Sequence, residues 1–194
     1  MNNADCICLT ETWLGVDDPP QQPCLTGFQF THVSRGQSYD NTHPQLQHLK
    51  QDSHGGVGIY HSVTKDVQIW PTKCYNVECL IFQVKSINLT AAVVYRPASY
   101  PLAIFCQHLK QLIDLIDQCP GMKIIMGDFN ENALDNGKLV RFFTVHNYTQ
   151  YVQTATTDKG TLIDHVYVKD GANILVDVLP VYYSYHEMVR IAVL

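Results

Sequence analysis

The sequence predicts a mixed α/β (α+β) domain built from many short strands and two helices. The chain has 194 residues, a length typical of one domain with a sizeable core. Hydrophobic residues make up 46% and charged residues 16% of it, so a packed core is expected and extensive disorder is not. Most apolar segments are short and bounded by turn residues, and only two have helical spacing.

Strands are predicted in the first half of the chain wherever short apolar or alternating segments occur. They cover Asp5 to Leu9, Gly27 to Val33, Val57 to Tyr60, Cys79 to Val84 and Leu89 to Tyr95. The last two are expected to form an antiparallel pair, because only a short turn separates them.

Both helices are predicted in the second half. The first has Ser99 as its predicted cap and Pro101 in its first turn, followed by Leu102, Phe105, Leu109, Leu112, Ile113 and Ile116 at helical spacing. The second helix is predicted near Lys138 to His146. Further strands are predicted at Lys123 to Met126, Leu162 to Val168, Ile174 to Val178 and Met188 to Val193.

The segment at residues 34–54 is polar and longer than an ordinary connection between elements. It is therefore predicted to be a surface loop insertion. Their histidines, His43, His48 and His54, match no metal-ligand spacing and are expected to be solvated.

The overall composition narrows the class of protein. The sequence has seven cysteines, an odd number, and no CxxC pair. Both observations argue against a disulfide framework or a zinc knuckle. With no signal-like N-terminus and no membrane-length apolar segment, an intracellular protein, nuclear or cytoplasmic, is expected. The net charge of -5 counts mildly against a nucleic-acid partner, although a divalent cation and a local patch can serve such a partner.

The first candidate site residues follow the predicted strand Lys123 to Met126. Asp128 and Asn130 are two residues apart, so in an extended chain they point the same way. The pair suits a metal or water on one side and a phosphate oxygen on the other. An Asx turn that only closes the strand is the alternative reading.

Carboxylates also occur on the apolar faces of two other predicted strands. Asp164 shares a face with Leu162, Val166 and Val168, where it requires a partner. His186 can supply that partner, because an aspartate fixes the tautomer and orientation of an imidazole.

Glu11 ends the stripe of Ile7 and Leu9, and Tyr95-Arg96 ends the strand Leu89 to Tyr95. A carboxylate suits Mg²⁺, and a phenol and a guanidinium suit phosphate. A solvated strand end and a salt bridge at the rim are the alternatives for Glu11 and Arg96. Because strand ends commonly converge on one pocket, these residues together favour a metal–phosphate site.

The order of these motifs resembles the endonuclease/exonuclease/phosphatase superfamily. The motifs are Glu11 in LTETWL, YRP at 95–97, GDFN at 127–130, IDH at 163–165 and the terminal Ser184-Tyr185-His186. ICLTETWL, GGVGIYHS, VVYRPAS and IIMGDFN look most like endonucleases of non-LTR retrotransposons, whereas GTLIDHVYV and YYSYHEMV look closer to endonuclease domains of helentron-type transposons.

This resemblance implies a four-layer sandwich, in which two packed, mostly antiparallel sheets are flanked by helices. It also implies a role for each matching residue. Glu11 matches a metal ligand and Tyr95 a phosphate contact. Asp128 matches the aspartate that acts on the attacking water or the leaving group, and Asn130 an amide that orients phosphate and water. Asp164 and His186 match the aspartate–histidine pair.

Two departures from the family pattern carry expectations of their own. Tyr185 stands where the family usually has a further aspartate, which predicts an altered cation affinity. The family also begins with a strand carrying an active-site asparagine, and this strand is predicted to be missing, so that residues 1–194 form a single N-terminally truncated domain.

By resemblance, the chain is therefore expected to be a DNA-nicking phosphodiesterase of a mobile element. Its cofactor is expected to be Mg²⁺, with Mn²⁺ as an alternative, and its partner DNA, with no membrane and no inferable protein partner. Two other functions stay open, namely a phosphatase of a small phosphorylated molecule and a catalytically weakened nucleic-acid-binding or interaction module.

Overall fold

The fold is seen in a computed structural model that describes residues 4–16, 24–40, 43–52, 54–71, 73, 75–135, 137–171 and 173–194. Its strands in chain order are β1 Cys6–Thr10, β2 Phe28–Val33, β3 Val57–Ser62, β4 Val67–Ile69, β5 Glu78–Val84, β6 Leu89–Tyr95, β7 Met122–Asp128, β8 Thr149–Gln150, β9 Asp164–Lys169, β10 Ile174–Leu179 and β11 Met188–Val193. Its helices are α1 Arg35–Ser38, α2 Gln47–Gln51, α3 Leu102–Ile116 and α4 Lys138–Val145, with short 3-10 turns at Pro44–Leu46, Lys85–Ile87 and Ala133–Asp135.

A six-stranded sheet in the order β4-β5-β6-β7-β9-β8 forms the centre of the domain. The predicted β5–β6 hairpin is present and antiparallel. Strands β6 and β7 are parallel, because the chain returns through α3 before it enters β7. The other pairs in this sheet are antiparallel.

Each face of the central sheet covers its own hydrophobic core. On one face, buried residues of α1–α4 and the segments around them, such as Leu109 and Phe143, pack against Ile125 and Tyr167. On the other face, a three-stranded sheet in the order β1-β3-β2 and the β10–β11 hairpin pack against residues such as Val93 and Val166. The predicted mixed α/β sandwich of packed sheets is therefore confirmed.

Strands β1 and β11 have only one strand partner each among the described residues, β3 and β10 respectively. The side chains of Cys8, Val189 and Ile191 point to the core, and the same residues border a common groove. The further strand that the resemblance expects before β1 stays a prediction.

The start of α3 differs from the sequence-based expectation. The helix begins at Leu102 with Pro101 as its N-terminal flanking residue, and Ser99 makes no capping bond. The amides of Ile104 and Phe105 instead bond to the carbonyl of Pro101. Proline suits this position because its own amide has no donor to satisfy.

The expectation of a surface loop at residues 34–54 is wrong for the part that the structure describes. That part contains α1 and α2, and its side chains Tyr39, Leu46 and Leu49 belong to the helix-side core. In the sequence of this segment, single apolar residues are separated by polar ones and follow neither a helical nor a strand period. The pattern therefore resembled that of a loop. Of its histidines, His43 contacts the ring of His108 and His54 bonds to Asp52, and neither contact is a metal site.

The buried packing of α2 leads to a stability prediction. Leu49→Ala should lower the free energy of unfolding by roughly 2–5 kcal/mol, because it removes a side chain that is 1% exposed from the core. His48→Ala on the exposed face of the same helix should change it by less than about 0.5 kcal/mol. Urea denaturation measures the free energy of unfolding of both variants. If Leu49→Ala lowered it as little as His48→Ala, the side chain of Leu49 would not be part of the core.

Candidate active site

A cavity of about 380 Å³ lies between β1 and the segment 181–191, above the ends of β7 and β9. Its lining includes four of the residues singled out in the sequence: Glu11, Asp128, Asp164 and His186. The same elements bring in the apolar side chains of Val93, Met126, Val166, Val189 and Ile191. The cavity therefore has a charged end and an apolar wall.

The strand register aligns three of the predicted residues in one row. Tyr95 of β6 lies opposite Asp128 of β7, and Asp128 lies opposite Asp164 of β9. This row crosses three neighbouring strands at the edge where β6 and β7 end and β9 begins. Residues that are far apart in sequence therefore meet at one end of the sheet.

Gly127 allows this close alignment. Its φ is +139°, and a Cβ atom at this position would lie 1.9 Å from the carbonyl oxygen of Val94 on the neighbouring strand. Any side chain would force β6 and β7 apart directly beside Asp128. The glycine of the GDFN motif thus serves the geometry of the site.

Asp128 and Asn130 form the Asx turn that the sequence left as an alternative. Asp128 Oδ1 accepts the backbone N–H of Asn130 at 2.8 Å, and Asn130 adopts a left-handed φ of +47°. The Asn130 side-chain amide donates to the carbonyl of Arg96 at 2.9 Å and to Asp128 Oδ2 at 3.3 Å. The turn reading and the site reading are therefore compatible, because the turn positions the carboxylate.

Arg96 does not reach the cavity and supports this turn instead. Its guanidinium donates to the carbonyls of Phe129, Asn130 and Tyr100 at 2.7–3.1 Å, and the residue is 7% exposed. Both terminal nitrogens of Arg96 thus donate to carbonyls, which gives the residue a structural role in this turn. The phosphate contact expected of Arg96 stays a prediction.

The predicted aspartate–histidine pair is present. His186 Nδ1 and Asp164 Oδ2 are 2.8 Å apart, and both side chains are about one-fifth exposed (21% and 18%). With Nδ1 bound to the carboxylate, Nε2 is the nitrogen that can contact a ligand.

Thr156 holds both partners of this pair in place, and sequence reasoning missed it. Its hydroxyl accepts the backbone N–H groups of Ile163 and Asp164 at 3.2 and 3.1 Å. Its carbonyl accepts the N–H of Glu187 at 2.8 Å, next to His186. The residue is fully buried, but it lies in a polar segment without periodicity, so no local signal marked it.

Glu11 lines the cavity and accepts a hydrogen bond from the hydroxyl of Tyr95. Its φ of +53° is left-handed, which is uncommon outside glycine and is often tolerated at functional sites. Burial and the neighbouring Glu11 carboxylate raise the pKa of Tyr95, so the phenol stays a donor.

A buried ion pair lies behind Tyr95, and it too had no signal in the sequence. Arg35 Nε donates to Glu78 at 2.8 Å, and the Arg35 guanidinium lies 5.8 Å from the centre of the Tyr95 ring. Glu78 also accepts the N–H of Gly56, and the adjacent Gly55 carbonyl accepts the N–H of Trp13 just after Glu11. Through these contacts, the segment around Arg35 and Gly55 supports the backbone next to Glu11.

The carboxylates of the site strongly influence one another. Burial, and next the charge of Asp164, raise the pKa of Asp128 to about 7. The hydrogen bond to Asp164 raises the pKa of His186, and the charges of Asp164 and Asp128 act in the same direction. Near neutral pH, the metal-free site therefore contains a carboxyl close to its midpoint beside an imidazole whose pKa is raised.

Divalent-cation binding fits the donor atoms of this site. Oxygen atoms of Asp128 and Asp164 and a nitrogen of His186 lie within 4.8 Å of one another. Carboxylate oxygens are the preferred donors of Mg²⁺, and Glu11, Asp128 and Asp164 supply them in the lining of this cavity.

A model of the Endonuclease/Exonuclease/phosphatase family matches residues 1–186 of the chain. No curated protein matches the sequence significantly.

Several solved structures share the fold at low sequence identity. The 3'-5' exonuclease from Neisseria meningitidis is 15% identical with a TM-score of 0.68, over 99% of this chain and 90% of that one. The human Nocturnin catalytic domain is 17% identical with a TM-score of 0.62, over 97% and 81%. The endonuclease domain of TRAS1, a telomere-specific non-LTR retrotransposon, is 14% identical with a TM-score of 0.60, over 85% and 77%. At these identities the likeness concerns the fold alone.

None of the described helices is long and apolar enough to cross a membrane.

The raised pKa of Asp128 predicts that this carboxylate destabilises the metal-free fold. A proton stays on folded Asp128 after the unfolded chain has lost it, so the free energy of unfolding should fall as pH rises from about 4 to about 7. Asp128→Asn should therefore be more stable than the parent at pH 8 in EDTA, by up to a few kcal/mol, with the difference shrinking towards pH 4. Thermal unfolding across this range measures it.

Asp114→Asn is the matched control, because its side chain is 54% exposed on α3. It should show no such pH-dependent gain. A lower stability of Asp128→Asn at pH 8 without metal would contradict the assigned electrostatics.

Proposed function

The chain belongs to the endonuclease/exonuclease/phosphatase family, and on that premise we propose that it is a metal-dependent phosphodiesterase that nicks DNA. The single observation that carries the proposal is the Asp164–His186 pair, which lies next to Asp128 in a cavity that Glu11 also lines. In the proposed site, these residues would supply an acid, a base and carboxylate oxygens to a phosphodiester.

In the proposed reaction, Asp128 orients a water molecule and accepts its proton as the water oxygen bonds to phosphorus. The bond from phosphorus to the 3′ oxygen breaks, and the leaving oxygen takes a proton from solvent, which gives a 3′-hydroxyl and a 5′-phosphate. A pKa of about 7 suits this task, because a base is most effective when its pKa is near the working pH. Asn130 helps to hold the Asp128 carboxylate in position through its backbone N–H.

His186 is proposed to act on the phosphate from the other side. Asp164 raises the pKa of the imidazole and binds its Nδ1, and in the protonated imidazole Nε2–H can donate to a non-bridging oxygen as negative charge develops there. Tyr95 is proposed to act through Glu11, whose carboxylate it holds, and it is too buried for an extended contact with substrate.

Glu11 is the residue proposed to hold a divalent cation, Mg²⁺ or Mn²⁺, together with water and phosphate oxygens. When bound, such a cation neutralises phosphate oxygens. Tyr185 stands at the position where the family pattern has a further carboxylate, so we expect weaker cation binding than with that carboxylate present.

We place the activity in a mobile element on the motifs ICLTETWL, GGVGIYHS, VVYRPAS and IIMGDFN. The fold by itself favours no subtype, since the similar structures include an exonuclease and a retrotransposon endonuclease. A phosphatase of small molecules is the second candidate, and phosphate release from a nucleoside monophosphate without plasmid nicking would favour it.

The activity prediction concerns the aspartate–histidine pair. His186→Ala and Asp164→Asn should each lower the rate of Mg²⁺-dependent nicking of supercoiled plasmid by at least roughly 10²-fold, the scale of one lost acid–base group. His48→Ala, an exposed histidine on α2, serves as the control and should nick at the parent rate. Nicking by His186→Ala at the parent rate would remove this residue from the mechanism.

The cation prediction has a readout that does not depend on activity. Mg²⁺ should raise the melting temperature of the parent protein in proportion to the logarithm of its concentration, because only the folded state binds it. Glu11→Gln should shift this response to about tenfold or higher concentration, since it removes one charged ligand. Identical Mg²⁺ responses of the two proteins would exclude Glu11 as a ligand.

A further inference from the structure

The lining of the active-site cavity is predominantly acidic, and its His186 imidazole is paired with Asp164. Its carboxylates are Glu11, Asp128, Asp164 and Glu187, and no lysine or arginine lines it among the described residues. A long phosphate backbone gains affinity mainly from such cations. Within this cavity, the affinity for a nucleic acid must therefore come from a different kind of contact.

Exposed aromatic side chains are available at the rim for such a contact. Tyr183 is 88% and Tyr185 54% exposed, and both line the cavity. The ring of Tyr185 also packs on His186, with ring centres 4.3 Å apart. Stacking on an aromatic ring is the main source of affinity when proteins bind unpaired bases without using backbone charge.

The segment that carries these tyrosines is fixed at several points. The N–H of Val181 donates to the Glu187 carboxylate at 2.7 Å, and the N–H of His186 donates to Ser184 Oγ at 3.0 Å. The carbonyl of Tyr185 accepts the N–H of Asp158 at 3.0 Å. A surface that is held before binding loses less conformational entropy when it binds.

The apolar wall of the cavity suits the same kind of ligand. Val93, Met126 and Val189 line it close to the carboxylates, and the volume of about 380 Å³ falls in the usual range of ligand sites. An apolar wall excludes a solvated phosphate chain but accepts the face of a base. A base inside a duplex has no free face, because both faces are stacked on its neighbours.

We propose that this cavity binds an unpaired nucleobase of single-stranded DNA next to the scissile phosphate, with Tyr183 and Tyr185 as its stacking surfaces. This inference rests on the proposed phosphodiesterase function and specifies its substrate. The DNA is single-stranded or locally unpaired where it is cut.

Tyr182 provides a matched control for the test. It is 99% exposed and adjacent to Tyr183, but it does not line the cavity. Affinity is measured by fluorescence anisotropy with a dye-labelled single strand of about twelve nucleotides, a length within the usual range of single-strand sites. The buffer contains EDTA, so that binding is read separately from metal-dependent cleavage.

Tyr183→Ala and Tyr185→Ala should each weaken binding roughly tenfold to a hundredfold, the range for loss of one base–aromatic stack. Tyr182→Ala should change it less than about twofold, and Tyr183→Phe and Tyr185→Phe, which keep the ring, should bind like the parent. The same strand annealed into a duplex should bind at least about tenfold more weakly. Between 50 and 200 mM salt, the affinity should fall less than about tenfold, as for two phosphate contacts or fewer.

Three results would overturn the proposal. The first is an equal loss with Tyr182→Ala and Tyr183→Ala, and the second is equal affinity for duplex and single strand. The third is a steep salt dependence of the affinity while the tyrosine variants have no effect. Tyrosine-dependent binding without any nicking in Mg²⁺ would overturn the proposed function and leave the base-binding site standing. Nicking in Mg²⁺ by a protein whose binding does not depend on Tyr183 or Tyr185 would overturn the base-binding site and leave the proposed function standing.

Discussion

The close approach of two carboxylates on adjacent strands, one of them buried, is the constraint on which the rest of this site depends. Asp128 and Asp164 lie opposite each other in the β7–β9 register, and Asp128 is only 3% exposed. Two like charges in a partly dry environment are costly unless a proton or a cation separates them. His186 and the Asx turn at Asn130 can both be understood as responses to this cost, because the imidazole bonds to the Asp164 carboxylate and the Asn130 N–H donates to the Asp128 carboxylate. Thr156 contributes by accepting the backbone N–H of Asp164, which holds that residue in place.

The central sheet makes the arrangement rigid. Gly127 permits the close contact of β6 and β7, and the register then aligns Tyr95, Asp128 and Asp164. Both faces of the sheet are covered by packed cores, so the row of site residues has little freedom to separate. A site built on strand ends can therefore keep two carboxylates close together despite their repulsion, whereas a loop could move them apart.

The distribution of charge connects the chemistry to the choice of substrate. The carboxylates that could hold a cation also repel a phosphate chain, so a cation and stacking contacts would have complementary roles. A cation would neutralise the reacting phosphate, and Tyr183 and Tyr185 would contribute affinity through a base. The overall charge of -5 is in keeping with binding that depends little on long-range attraction.

The sequence by itself determined the central strands and most of the site. Leu89–Tyr95 and Met188–Val193 have the bounds that their apolar patterns predicted, and Glu11, Asp128, Asp164 and His186 line one cavity as their positions at strand ends suggested. Only the tertiary structure decided the role of Arg96, the packing of residues 34–54 and the contribution of Thr156. The physical reason is that periodicity records which face of an element is buried, whereas a partner such as Glu78 lies 43 residues from Arg35 and leaves no trace in the local pattern.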